Sequence, residues 1–210
     1  MKTPLRKAYT LWIRSLIVVV AGLSSLSAAA SDEIALGSAQ APVTLIEYGS
    51  LTCDYCINFH REVLPLIQSR HIDTGRVRFI YRDFPTSAAA TRGAVAARCA
   101  GDQYYRMLDV LFAEVGRWAT ADDVDAALTQ QAASLRMNEK RFRTCLNDPS
   151  HSLAVIEGQQ QAKTEFDVLG TPTFLINGKI VRGKRTIEEM EALIKKALPD
   201  PPQPATDQTK

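Results

Sequence analysis

Two cysteines separated by two residues, Cys53 and Cys56, are the feature that most limits what this chain can fold into. A mostly apolar stretch that is typical of a buried strand, 43–48, ends shortly before them. A stretch with helical character, 53–70, begins at the first cysteine. The pattern therefore predicts a strand, a short loop and a helix with Cys53 at its N-terminus.

A cysteine at a helix N-terminus is expected to be reactive. The unpaired backbone amides and the positive end of the helix dipole favour its thiolate. Such sites lower a cysteine pKa from about 8.5 to about 3.5–7.5, and the thiolate is the form that attacks disulfides. We therefore interpret Cys53 and Cys56 as a redox pair. A purely structural disulfide and half of a metal site are the alternatives that the spacing leaves open.

Residues 1–30 have the composition of a bacterial secretory signal. A basic front of four Lys and Arg residues precedes an apolar core at 16–26 and small residues at 28–30. The uncharged stretch falls short of the roughly 20 apolar residues that a membrane span needs. We expect cleavage before Ser31 and a location in the periplasm, where cysteines can form disulfides. An uncleaved membrane anchor is the alternative.

Removal of the signal changes what the charge of the chain implies. The whole chain has 25 basic and 23 acidic residues, and the first 30 residues carry four of the basic ones and none of the acidic ones. Cleavage therefore leaves 21 basic against 23 acidic residues, a net charge of −2. A chain with so little net charge gives no reason to expect nucleic acid binding.

Residues 38–198 are predicted to form one α/β domain. The strand at 43–48, the helix at 53–70 and a second strand at 76–81 make a βαβ unit, which implies a parallel strand pair. The helix is expected to kink near Pro65, which has no backbone amide hydrogen. A long helical stretch follows, and we assign a helical insertion to about 86–150.

The end of the domain has a different pattern. Asn177-Gly178 is a strong hairpin signal between two short strands, 173–176 and 179–182. A final amphipathic helix, 186–198, begins with a capping box. Residues 31–41 are interpreted as a short polar lead, and the Pro-rich end at 199–210 is predicted to be a disordered tail.

These motifs together resemble the DsbA-like branch of the thioredoxin superfamily. The resemblance covers almost all of 38–198 and rests on Cys53-x-x-Cys56 after a strand, Thr171-Pro172 before the hairpin, and the helical insertion between them. It implies an α/β, thioredoxin-like fold with a helical insertion between the βαβ unit and the C-terminal ββα unit. It also implies protein thiol-disulfide oxidoreductase activity that needs no cofactor.

The resemblance assigns roles to five residues. Cys53 matches the exposed nucleophile and Cys56 the buried resolving cysteine. Pro172 matches a cis-proline that faces the disulfide, and Thr171 would then present its backbone to an extended substrate. Glu47 matches a buried acid that accepts or relays a proton as Cys56 reacts. A trans turn proline and an exposed strand glutamate are the alternatives for Pro172 and Glu47.

Three further residues have the chemistry to form sites. Cys99 and Cys145 fall in predicted helices of the insertion, and we expect a structural disulfide between them. A reduced pair in the core and a second redox couple are the alternatives. His60 lies one helical turn after Cys56 and would complete a three-ligand zinc or copper site with Cys53 and Cys56. We favour an ordinary polar helix residue and expect no metal.

The chain departs from its strongly oxidising relatives between the two cysteines. Those relatives commonly have Pro-His there, whereas this chain has Asp54-Tyr55. The negative charge of Asp54 is expected to raise the pKa of Cys53 compared with those relatives. We therefore predict an intermediate reduction potential, within the roughly −120 to −270 mV that such proteins span.

The sequence thus predicts a periplasmic dithiol oxidase that acts on unfolded or reduced exported proteins. A membrane quinone-coupled, DsbB-like partner would reoxidise it. Isomerase-type relatives carry an N-terminal dimerisation domain, and about ten residues separate the expected cleavage site from the first strand, so we expect a monomer. A disulfide isomerase or reductase is the first alternative, and a metal-binding, copper-tolerance protein is an alternative of another class.

Overall fold

A mixed five-stranded sheet organises the part of the chain that the computed structural model describes, residues 33–199. The strands lie in the order β1-β3-β2-β4-β5, with β2 and β3 parallel and the other neighbours antiparallel. Their bounds are β1 Ala35–Leu36, β2 Val43–Gly49, β3 Val77–Asp83, β4 Thr173–Ile176 and β5 Lys179–Arg182. The predicted signal, 1–30, and the predicted tail beyond its first residue lie outside the described residues.

The first helix is continuous from Asp54 to Ile72 but is not α-helical throughout. The α-helical pieces α1 (Asp54–Asn58) and α2 (Leu64–Ile67) are each followed by a π-helical turn, Phe59–Val63 and Gln68–Ile72. The distortion predicted near Pro65 takes this form. The amide of Leu64 donates to the carbonyl of Phe59, five residues back, directly before the proline that has no amide to donate.

Six helices follow β3 and make up the insertion. They are α3 (Ala88–Cys99), α4 (Tyr104–Ala113), α5 (Val115–Trp118), α6 (Val124–Ser134), α7 (Glu139–Leu146) and α8 (Pro149–Phe166). Side-chain oxygens of Ser87, Asp123, Asn138 and Asp148 accept amide hydrogens at the N-termini of α3, α6, α7 and α8. These caps explain why one long helical pattern is divided into separate helices.

The C-terminal unit has the structure that its sequence predicts. Asn177 and Gly178 both have positive φ, 46° and 79°, as a two-residue hairpin turn requires. The last helix, α9 (Ile187–Ala197), begins with the predicted capping box between Thr186 and Glu189. The α/β class and the placement of a helical insertion between the βαβ unit and the C-terminal ββα unit are confirmed, but the inserted helices continue to Phe166 rather than ending at about 150.

One strand was not predicted. Ala35 and Leu36 pair antiparallel with Ile80 and Phe79 of β3, inside the stretch that the sequence predicts to be a polar lead. Two residues are too short to show a strand period, and this strand forms because the outer edge of β3 has free backbone groups to pair with.

The sheet separates two hydrophobic clusters. The larger contains Leu45 and Phe174 together with side chains of the insertion such as Trp118. The smaller, on the other face, contains Tyr48 and Leu175. Because side chains alternate between the faces of a strand, Glu47 shares its face with Leu45 and points into the larger cluster.

The insertion packs closely against the loop that precedes Cys53. A Cβ added at Gly93 of α3 would lie 2.7 Å from the Trp118 ring and 2.8 Å from Leu51. Leu51 and Trp118 are both fully buried. Glycine at this position therefore lets α3 support the active-cysteine loop at close range. Among residues 33–199, no helix is long and apolar enough to cross a membrane.

Candidate active site

Cys53 sits at the N-terminus of α1, as predicted. It is the N-cap residue, with an extended backbone, and its carbonyl accepts the amide hydrogen of Ile57 at 2.9 Å. Its own amide donates to the carbonyl of Ser50 at 3.1 Å, which closes the loop after β2. Cys53 is half-buried, whereas Cys56, one turn into the helix, is fully buried. A substrate can therefore reach the first sulfur but not the second.

The pKa of Cys53 is lowered to about 5. The largest cause is a hydrogen bond with the Cys56 thiol, while partial burial acts in the opposite direction. A side-chain hydrogen bond with Thr171 and the backbone amides of Cys56 and Tyr55 lower it further. Asp54 is exposed to water, which screens its charge. The main contributions to the pKa of Cys53 come from Cys56, Thr171 and Tyr55 rather than from Asp54.

Cys56 has the opposite behaviour. Burial raises its pKa far above the usual value for a thiol, and the thiolate of Cys53 and the charge of Glu47 raise it further. At neutral pH the reduced pair therefore consists of a Cys53 thiolate and a Cys56 thiol. This division of roles suits an exposed nucleophile and a buried resolving cysteine.

The lowered pKa of Cys53 predicts a pH profile for its alkylation. In the reduced protein, the iodoacetamide reaction rate of Cys53 should rise through pH 5 and stay constant from about pH 6.5 to 8, because the thiolate is then fully formed. Mass spectrometry of the peptide that contains Cys53 measures the rate. A midpoint near 8.5, the value of a free cysteine, would contradict the assigned electrostatics.

The loop before β4 faces Cys53. The Thr171–Pro172 peptide bond is cis, and the Thr171 carbonyl oxygen accepts a hydrogen bond from the Cys53 thiol at 3.4 Å. Two segments 118 residues apart in sequence thus meet at one sulfur. The structure brings Cys53, Cys56, Thr171 and Pro172 into one site.

Glu47 lies behind this site, on the central strand β2. It is fully buried, and its Oε2 is hydrogen-bonded to Nε2 of His60 at 2.8 Å. Gly49 leaves room for this carboxylate, since a Cβ there would lie 3.0 Å from Oε1 of Glu47 and 2.5 Å from the Tyr81 ring. The sequence did not settle which face Glu47 occupies, and the exposed alternative is wrong.

His60 lies in the first helix, as expected, but it is buried there, which the sequence did not predict. Its ring stacks on Phe112 with centroids 3.8 Å apart. The spacing of residues along the helix could have predicted this burial. His60 follows Cys56 by four residues and precedes Leu64 by four, and both of these are buried.

The metal-binding hypothesis does not fit this arrangement. His60 Nε2 is engaged by Glu47 rather than directed to the cysteines. Among residues 33–199, the one group of three potential ligands with donor atoms within 4.8 Å of one another is Cys99, Cys145 and His151. The two sulfurs of that group are joined to each other, so the group does not offer two thiolates in this state.

The disulfide between Cys99 and Cys145 links two helices of the insertion. It connects the last residue of α3 to α7 across 46 positions of sequence, with Cα atoms 5.8 Å apart. Both cysteines are half-buried. The bridge therefore fixes the insertion that supports the loop before Cys53.

Comparisons with known proteins agree with this geometry. A family model described as thioredoxin matches residues 29–196. A Rickettsia conorii protein named for protein-disulfide oxidoreductase activity is 24% identical over 169 residues, which are 80% of this chain and 61% of that protein. The chain thus spans about three-fifths of the length of the curated relatives it matches.

Solved structures share the fold. Wolbachia pipientis alpha-DsbA1 is 26% identical with a TM-score of 0.74, and the match covers 80% of this chain and 91% of that one. BdbD from Bacillus subtilis is 22% identical with a TM-score of 0.68, over 79% of this chain and 92% of that one. At 22% identity, the match to BdbD shows a shared fold only.

Proposed function

Because this chain belongs to the thioredoxin family, in its DsbA-like branch, we propose that it is a thiol-disulfide oxidoreductase that oxidises dithiols in exported proteins. The observation that carries this proposal is that the two cysteines differ in accessibility and have pKa values shifted in opposite directions. Cys53 is accessible with a pKa of about 5, and Cys56 is buried with a strongly raised pKa. Stabilising the Cys53 thiolate favours the reduced pair, and a pair that favours its reduced form is an oxidant.

The proposed reaction has two exchange steps. A substrate thiolate attacks Cys53 of the oxidised pair, a mixed disulfide forms, and Cys56 leaves and takes up one proton. A second substrate thiolate then attacks the substrate sulfur of the mixed disulfide, and Cys53 leaves as a thiolate. The substrate gains a disulfide, and its two electrons remain on the Cys53/Cys56 pair.

The cis-proline loop is proposed to hold the substrate. The Thr171 backbone lies beside Cys53 and would pair with an extended peptide in the manner of a strand. Tyr55 and Leu169 are exposed large side chains near Cys53 and Thr171 in sequence, 53% and 75% accessible. We propose that they contact apolar residues that flank the substrate cysteine, as expected for unfolded clients.

The remaining assignments follow from the sequence. We propose that residues 1–30 direct export and are cleaved, that the protein acts in the periplasm as a monomer, and that 38–198 form the active domain. A membrane quinone-coupled, DsbB-like partner would reoxidise Cys53 and Cys56. Glu47 would relay the proton that Cys56 takes up, and Cys99–Cys145 would be structural.

The reduction potential of the Cys53/Cys56 pair tests the direction of transfer. The protein is equilibrated with glutathione buffers and alkylated, and the redox state is measured on the peptide that contains both residues, so that Cys99–Cys145 does not contribute. A potential above about −180 mV supports an oxidase. A potential near −250 mV or below would assign the protein to the isomerase or reductase class instead.

A further inference from the structure

Two ionisable side chains meet in the core behind the redox pair. Glu47 on β2 and His60 on the first π-helical turn are joined at 2.8 Å, and their side chains are 0% and 2% exposed. Among residues 33–199, neither Oε1 of Glu47 nor Nδ1 of His60 has a hydrogen-bond partner. Burying an uncompensated charge is costly, so the ionisation of Glu47 is expected to depend on the protonation of His60.

The surroundings of the pair are largely apolar. On the β3 side the His60 ring meets the edges of Phe79 and Tyr81, and on the α4 side it stacks on Phe112. Burial raises the pKa of Tyr81 well above its usual value, so this phenol stays neutral. Partial desolvation raises the pKa of Asp109 of α4, and its electrostatic interaction with His60 acts in the opposite direction.

Cys56 is the reacting group to which this pair is coupled. It comes from the same helix as His60, four residues earlier, and is fully buried. The charge of Glu47 raises the pKa of its thiol. A Cys56 thiolate beside an ionised Glu47 would place two like charges in the core, so ionisation of one disfavours that of the other.

We propose that His60 is a positioning residue of thiol exchange that shares a proton with Glu47, so that the Glu47–His60 pair, rather than Glu47 alone, holds the proton that Cys56 takes up. This inference rests on the proposed function. The pair is neutral with two protons and carries a charge of −1 with one. When Cys56 leaves the disulfide as a thiolate, one proton passes from the neutral pair to its sulfur, and solvent then returns one proton to the pair.

The imidazole gives the pair a property that an isolated carboxyl does not have. An unperturbed imidazole changes protonation nearer to neutrality than a carboxyl does, so a histidine suits a group that must give up a proton and take it back. The stack on Phe112 fixes the plane of the ring, and the bond to Glu47 fixes its Nε2.

The test compares His60→Gln with a matched control, His71→Gln. His71 is also 8% exposed and also lies in a π-helical turn of the first helix, but its Nε2 is 3.6 Å from Glu191, not near Glu47. Reduction of the oxidised protein by a two-cysteine peptide is followed by stopped flow from pH 5 to 9, and each rate is divided by the thiolate fraction of the peptide.

For the native protein we expect the corrected rate to fall as the pH rises through the midpoint of the pair. That midpoint should move by more than about half a pH unit in His60→Gln and stay in place in His71→Gln. A purely structural role would lower the rate equally at every pH. The proposal is overturned if the native profile has no inflection, if His60→Gln leaves it in place, or if His71→Gln shifts it equally.

A measurement without mutation guards against a variant that does not fold. The chain has three histidines, so their imidazole proton resonances can be titrated by NMR in the oxidised and in the reduced protein. The midpoint of His60 should differ between the two states by more than about half a unit, and that of His71 should not. Equal His60 midpoints overturn the inference, whereas a protein that exchanges no disulfides at all overturns the proposed function instead.

Discussion

Cys56→Ala is expected to convert the protein into a trap that remains covalently attached to oxidised substrates through Cys53. The thiolate of Cys53 still forms at neutral pH and still attacks a substrate disulfide. Without Cys56 the mixed disulfide can be released only by a second thiol of the substrate, so it persists when the oxidised substrate is a peptide–glutathione disulfide whose glutathione half diffuses away. We expect turnover in a peptide oxidation assay to fall by about 10⁴-fold or more, as when a nucleophilic pair is broken in other enzymes. Non-reducing electrophoresis of the variant mixed with an oxidised peptide measures the adduct.

Cys53→Ala is the matched control for this experiment. Cys56 is fully buried and its pKa is strongly raised, so it should neither reach the peptide nor ionise at neutral pH. The control should therefore be inactive and free of adduct. Equal amounts of adduct in the two variants would mean that the sulfurs do not have the assigned roles.

Short sequence motifs predicted the structure correctly where the backbone conformation of a few neighbouring residues determines it. The Asn177-Gly178 turn and the Thr186 capping box follow from residue types that favour one conformation, and the structure has both. Cys53 is likewise placed by the boundary between a strand and a helix. The strand β1 escaped prediction because pairing with Ile80, not its own two residues, creates it.

Contacts between side chains that are distant in sequence could not be predicted from such motifs. The alternation around Glu47 is compatible with either face of the strand, and it becomes decisive only when Leu45 is known to face the insertion. His60 is polar, and its spacing from Cys56 alone does not show whether its ring is buried. Its burial depends on Phe112, a residue 52 positions later, whose ring covers it.

Removal of the second disulfide is expected to destabilise the protein by about 4 kcal/mol, the value that loop-closure entropy gives for a loop of this length. Cys99→Ala/Cys145→Ala opens a link across 46 positions between α3 and α7. Domains of this kind have a total stability of about 5–15 kcal/mol, so the variant should unfold at much lower urea concentration. Urea unfolding, with an unchanged slope against denaturant, measures the loss.

The same variant separates a structural bridge from a second redox couple. If the bridge only restrains the insertion, the pH profile of Cys53 alkylation should keep its midpoint near 5 in the folded variant, because the groups that set this pKa belong to the helix N-terminus and the Thr171 loop. A loss of stability below about 1 kcal/mol would contradict the structural role. A bridge across so long a loop is expected to restrict the unfolded chain much more than that. A stable variant with a displaced midpoint would instead assign Cys99–Cys145 to the redox chemistry of the site.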